Sequence, residues 1–252
     1  MAVIIDRDLL TRIDALELSQ RNIEWRNTMK SSPWRLSADR ERWTVKSWRE
    51  TEGEDLQLRR AKLVGCVLDN IEIEIHPFDE IVGRPTPWAI GCCTSIDVNS
   101  DYIQGLFDAS GAIDLTTDAS VVIDAKSASI LHEAVQTFSG KTMREATYRA
   151  WREIVGSWAE DAESAKLKDP SLDSTITGQS TSTLSWNKIL RVGLRGYIDE
   201  AKSHIARFIE RGDVEISKLH FWQSAIIVLE AVIQHARRYA ALARDKAETA
   251  DE

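Results

Sequence analysis

Glu72, Glu74 and His76 alternate with Ile71, Ile73 and Ile75 in the run IEIEIH. On an extended strand, side chains at i and i+2 share one face roughly 7 Å apart, so two carboxylates and an imidazole would line one surface. They would hold a metal only if further ligands converged from elsewhere, and a solvated or helix-covered strand face explains them better. Cys92 and Cys93 are adjacent in AIGCCTSI. A thiol becomes a nucleophile beside a group that lowers its pKa, and the surrounding sequence names no such partner. His132, His204, His220 and His235 fall on predicted helices among charged neighbours, without HExxH or a comparable metal spacing. GxSxG, GxxxxGK[ST] and GxGxxG do not occur. On the residues alone, the chain offers no catalytic, cofactor-binding or metal site.

The elements that would position these groups are mostly helical. Up to about residue 70 the pattern predicts three helices. The third starts near TEGED (51–55), where acidic residues suit a helix N-terminus, and carries Leu58, Ala61, Gly65 and Leu68 on one face. The alternation from Ile71 to His76 predicts a half-buried strand, ended by Pro77. From Arg84 to about Ala119, Pro85, Pro87, Gly91, Gly105 and Gly111 break every period, which predicts coil with short helical pieces. Residues 120–137 and 142–167 again predict helix. KDPSLDSTITGQSTSTLS (168–185) is a polar, Ser/Thr-rich surface or site-facing loop.

Two long helices are predicted to follow. The first has the stripe Leu190, Leu194, Tyr197, Ala201, Ile205 and Phe208, with Glu200 four residues before His204. The second carries Leu219, Trp222, Ile226, Leu229, Ile233, Ala236, Ala240 and Ala243, with Ile227, Val228 and Ala231 on its other side. Its middle is expected to be buried nearly all round, and its far side would be exposed if this chain stood alone. No internal repeat is evident.

Composition bounds the setting. The 252 residues suffice for one large domain or two small ones, and 43% hydrophobic with 29% charged is a globular balance. Forty acidic residues against 32 basic ones, a net charge of −8, argue against a nucleic-acid partner. Three cysteines, an odd count, argue for reduced thiols. The uncharged apolar runs fall short of the roughly 20 residues that span a bilayer, and MAVIIDRDLLTR has no signal-peptide pattern. The expectation is a cytoplasmic chain with no membrane partner. Nine scattered tryptophans point to packing rather than a base-stacking platform.

Four segments carry a resemblance. RETEGEDLQLRRAKLVGCVLDNIEIEIHPFDEIVGR (49–84) resembles the N-terminal region of pyruvate formate-lyase-like glycyl radical enzymes. DAKSASILHEAVQTFSGKT (124–142) is similar to that family's helix ending in a WxGKT-type turn, with Phe138-Ser139 in place of the usual aromatic pair. WNKILRVGLRGYIDEA (186–201) resembles its YEKVLxxGLxGIIEE segment, and AIIVLEAVIQHARRYAALA (225–243) its long inner helix. The matches come in order and cover most of residues 40–245.

The resemblance implies a fold that is mainly α with a few short strands, the N-terminal helical part of the family's ten-stranded α/β barrel. Residues 1–252 would be an incomplete portion of that domain, with the loop 168–185 inside it. It implies radical C–C, C–O or C–N cleavage of a small-molecule substrate, by a cysteine loop and a glycine loop that meet inside the barrel. No segment here matches the RVxGY glycine loop, so both loops are expected on a second polypeptide or beyond residue 252. The chain would carry no cofactor of its own; the family uses a glycyl radical installed by a radical SAM activating enzyme. A split subunit, probed by its partner chain, and a homo-oligomer both fit, as does an inert scaffold or truncated remnant.

Cys92-Cys93 is similar to the vicinal cysteines of pyruvate formate-lyase, but it follows IVGR in an early, outer segment, so no catalytic role is carried onto it. Many dehydratase-like members have GHxxxDY before the KVL helix. The matching positions here are Ser180, Thr181, Ser185 and Trp186. Thr181, Ser185 and Trp186 are therefore the substrate-pocket candidates. Without the histidine, aspartate and tyrosine, a polyol would lose hydrogen-bond partners, which points to an apolar or aromatic substrate or to none.

Overall fold

The structure is a computed structural model, and it describes residues 19–107, 121–157 and 185–249. The described chain runs α1 (Gln20–Ser31), β1 (Trp34–Ser37), α2 (Asp39–Glu50), α3 (Leu56–Asn70), β2 (Gly91–Cys93), α4 (Asp101–Gly105), β3 (Val121–Val122), α5 (Ala125–Phe138), α6 (Met143–Val155), α7 (Trp186–Glu210) and α8 (Ile216–Thr249). It is mostly helical, as the periodicity predicts.

The helices start where side chains can take the free N–H groups. Asp55 accepts from the Gln57 and Leu58 amides at 2.9 and 3.4 Å and opens α3. Asp124 takes the Ser127 amide at 2.7 Å and opens α5. Thr142 and Glu145 form a reciprocal capping box at α6. That helix ends at Val155, where Gly156 turns to φ +60 and bonds back to the Arg152 carbonyl at 2.9 Å; residues 158–167 of the predicted span lie outside the described residues.

One core joins α2, α3 and α5 to the sheet. On α2, Glu41, Thr44, Val45 and Trp48 are buried at i, i+3, i+4 and i+7, a single face. Trp48 meets Phe138 of α5 at 5.0 Å between ring centres, over Leu63, Val67 and Leu131. α3 has two buried faces. Leu63 and Val67 join this core, while Gly65 lies against Ile227 and Ala231 of α8, so that a Cβ added there would sit 3.7–3.8 Å from them.

The sheet is three-stranded and parallel, in the order β2-β1-β3, with Arg35 opposite both Gly91 and Val122. None of its strands was legible in the sequence. They are two to four residues long, too short to show a period. Conversely, the strand predicted over residues 71–76 is not one. The chain is extended there, but side chains take its backbone groups: the Glu72 amide donates to Asp39 Oδ2 (2.8 Å) and the Ile71 carbonyl accepts from Arg238 (2.6 Å). Ile71 is buried and Ile73 packs on the core, so the alternation reports burial without a ladder.

α7 is bent inside its own span. Gly193 sits at φ +65, ψ 179, between two helical pieces. Beyond the bend, Ile198, Ala201 and Phe208 are buried; before it, Leu190 of the same predicted stripe is 81% exposed. α8 also departs from expectation. Only Ser224, Ala231 and Tyr239 are buried, because among the described residues α3 and α7 cover one side. By length and composition α8 could cross a membrane, and here its apolar seam serves packing against those two helices.

Candidate functional site

The stretch from Leu68 to Arg84 is a clamp. Arg238 on α8 donates to the Leu68 and Ile71 carbonyls at 2.6 Å each, and His235 Nδ1 reaches the same Leu68 carbonyl at 2.9 Å. Those carbonyls belong to the last turn of α3, where intrahelical partners run out, so α8 supplies the C-cap. Tyr239 donates its hydroxyl to the Arg84 carbonyl at 3.3 Å, and Lys246 pairs with Glu74. That pair, by its hydrogen bond first, holds the Glu74 carboxyl below its usual range.

The IVGR turn is fixed from within. The Arg84 guanidinium binds Asp79 through Nε (3.0 Å) and Nη2 (2.5 Å), and Nη1 reaches the Ala89 carbonyl at 3.2 Å. Burial pushes the Asp79 carboxyl upward, but bonds from Arg84 and the His76 amide outweigh it and hold it low. His76, Phe78 and Trp25 stack in near-parallel planes, 5.1 and 5.8 Å apart, and tie α1 to the turn. Glu72, Glu74 and His76 thus serve packing and surface pairing and do not converge. Among the described residues no group of three His, Cys, Asp or Glu side chains could hold a metal ion.

The remaining histidines are engaged too. His132 bonds Gln136 at 2.8 Å, His204 stacks on Trp222 at 5.2 Å, and His220 meets Asp55 at 3.4 Å. They are satisfied residues, as expected.

Cys92 and Cys93 lie on β2 opposite Leu36 and Ser37, and adjacent strand residues point to opposite faces. They border a cleft of about 400 Å³ with Trp34, Leu36, Thr94, Tyr102 and Val121. Burial raises the Cys93 thiol above its usual range, only partly offset by Arg40. A thiol held protonated in this way is not an activated nucleophile.

Below that cleft lies a group of buried charges that sequence reasoning missed. Arg40 binds Asp97 Oδ1 through both terminal nitrogens at 3.1 Å, and reaches the Thr94 carbonyl at 3.1 Å and Glu41 Oε1 at 3.3 Å. Arg60 meets Asp97 Oδ2 at 3.5 Å. Glu41 is fully buried; Thr94 donates to its Oε1 at 2.9 Å and the Ile96 amide at 3.4 Å, while its Oε2 has no partner. Burial raises this carboxyl to about 7, against the pull of Arg40 and Thr94. Its place was readable, since position 41 falls in line with Thr44, Val45 and Trp48 on α2.

Of the substrate-pocket candidates, Ser180 and Thr181 lie outside the described residues. Ser185 stands at the N-cap of α7 without a side-chain cap bond, and Trp186 beside it is 57% exposed. Trp186 and Leu190, one turn apart, present an apolar face ahead of the Gly193 bend that stays exposed among the described residues.

Comparison with known proteins bears on this arrangement. The family model for pyruvate formate lyase-like proteins matches residues 11–252. The isethionate sulfite-lyase of Oleidesulfovibrio alaskensis is 29% identical over 223 residues, covering 84% of this chain and 26% of that protein. Its counterpart from Nitratidesulfovibrio vulgaris is 26% identical over 221 residues, with the same coverages. A glycyl radical enzyme from Archaeoglobus fulgidus superposes with a TM-score of 0.71 at 27% identity, over 93% of this chain and 29% of that one. A Roseburia inulinivorans structure described for 1,2-propanediol dehydration gives 0.76 at 23% identity, over 94% and 27%. The chain spans about a quarter of the length of the relatives it matches.

Proposed function

Because the chain belongs to the pyruvate formate lyase-like family of glycyl radical enzymes, we propose that these residues build the N-terminal helical shell and part of the substrate pocket of a radical lyase. The reading rests on one observation: the family match runs almost the whole chain, while the matched relatives extend over about three times its length. The cysteine and glycine loops are assigned to polypeptide outside these 252 residues, either continuous with them or on a second chain acting as partner subunit. On this reading a radical SAM activating enzyme installs the radical on that other segment, and the present residues position and shield. The short parallel sheet supports it, since β2 and β3 have no outer neighbours among the described residues and further barrel strands would pair there.

The substrate is a small molecule met by the segment 181–186. Thr181, Ser185 and Trp186 replace the polar set that serves polyol dehydration, and the isethionate sulfite-lyases add sulfite release to the C–C, C–O and C–N cleavages such a site can host. The same replacements favour a second reading, an inert scaffold that keeps the family's helices without its chemistry.

The test is to express the chain anaerobically with its adjoining coding sequence and the activating enzyme. A glycyl radical signal by electron paramagnetic resonance, with turnover of isethionate or an aromatic acid, supports the lyase. Neighbouring sequence without a cysteine loop and an RVxGY loop, or a complex that takes up no radical, leaves the scaffold.

A further inference from the structure

We propose that Glu41 is a proton-operated lock on the turn between β2 and α4: protonated, it holds residues 94–98 against α2; ionised, it lets that turn loosen. Three helices meet at this turn. Arg40 of α2 and Arg60 of α3 both bind Asp97. The first amides of α6, Met143 and Arg144, donate to the Asp97 and Val98 carbonyls at 2.9 and 3.0 Å. Glu41 ties the turn to α2 through Thr94 and the Ile96 amide.

The electrostatics of the site disfavour a second buried anion. The groups facing Glu41 are Arg40 on its own helix, Cys93, Thr94 and Asp97 from the β2 side, and Arg60 of α3 beyond Asp97. Arg40 commits two nitrogens to Asp97 and offers Glu41 one longer contact. Asp97 repels a charge on Glu41. One oxygen, Oε2, meets no donor and no water-exposed surface. A neutral acid leaves a weak O–H unsatisfied there, whereas an anion leaves half its charge bare in a low-dielectric setting. Opening the turn to water relieves only the anion, so opening and proton loss are coupled.

The measurement is made on the whole 252-residue chain. Side-chain carboxyl NMR of ¹³C-labelled glutamate is expected to show one glutamate titrating near neutrality, absent from Glu41→Gln. Amide exchange at Ile96, Met143 and Arg144, corrected for intrinsic base catalysis, is expected to rise roughly tenfold from pH 6 to pH 8. In Glu41→Gln that rise disappears, while exchange in the middle of α3 and α8 is the same in both proteins. A Glu41 midpoint in the ordinary carboxylate range overturns the proposal. So does a pH-dependent rise that survives in Glu41→Gln, or one spread evenly over every helix. Should Glu41→Gln fail to fold, the titration and site-by-site exchange of the unaltered chain decide alone.

Discussion

At the residue scale, two carboxyl groups carry opposite pH signatures. Asp79 is held below its usual range, so its contribution is complete above the unfolded aspartate value near 3.8 and is lost as pH falls through the lower folded value. Glu41 is raised to about 7 from 4.5, so its contribution is complete below the unfolded value and is lost as pH climbs through 7. That loss amounts to about 3 kcal/mol. Stability to urea should therefore fall in two windows, below pH 4 and between about pH 4.5 and 7, with no further Glu41-dependent loss above that. Glu41→Gln should flatten only the upper limb; Asp79→Asn should remove part of the lower one. Arg84→Lys should cost about 1–3 kcal/mol in the same assay, because an ammonium cannot span both Asp79 oxygens and the Ala89 carbonyl together. The residues whose types could do chemistry were expected to be structural or surface groups, and the fold supplies the partners that make them so. Type and spacing reveal what Glu74, His76 or Cys93 could bind, but only the fold shows that Lys246, the Pro87 carbonyl or plain burial already occupies them.

At the element scale, close packing hangs on glycines. Gly65→Ala should be neutral or stabilising by up to about 1 kcal/mol, since its methyl would meet Ile227 and Ala231 at ordinary contact distance and alanine favours helix. Gly65→Leu should instead push α8 off α3 and cost several times that; thermal melts of the pair test the contrast. Gly193→Ala must hold φ +65, ψ 179, a region essentially reserved for glycine, at about 1–3 kcal/mol, or straighten α7. The bend also seats Val192 beside Gly196, where a Cβ would come within 2.6 Å of it. Helices were legible because ten or more residues at period 3.6 leave a stripe. The bend was not, because a stripe of positions cannot show that Leu190 and Ala201 no longer point the same way. Nor was the sheet: β1 sits in a span that reads as helix, and β2 in one that reads as coil.

At the scale of the whole molecule, what is uncovered matters. Among the described residues Trp186 and Leu190 stand 57% and 81% exposed. Trp186→Ala and Leu190→Asp should each change the isolated chain's stability by less than about 0.5 kcal/mol. If further family polypeptide covers this face, both should sharply reduce co-purification with it and any lyase turnover. Equal recovery of the complex would remove that face from the interface.

The clamp on the last turn of α3 has one more consequence, which concerns time. Leu68 is capped by His235, 167 residues later in the chain. At synthesis rates of roughly 5–20 residues per second, that partner emerges about 8–33 s after α3 does. Throughout this interval the Ala61–Gly65 face and the Leu68 and Ile71 carbonyls have only water or a chaperone to meet. The segment whose pattern is plainest in the sequence is therefore among the last to be secured, and a ribosome stalled between residues 70 and 235 should hold it open to protease.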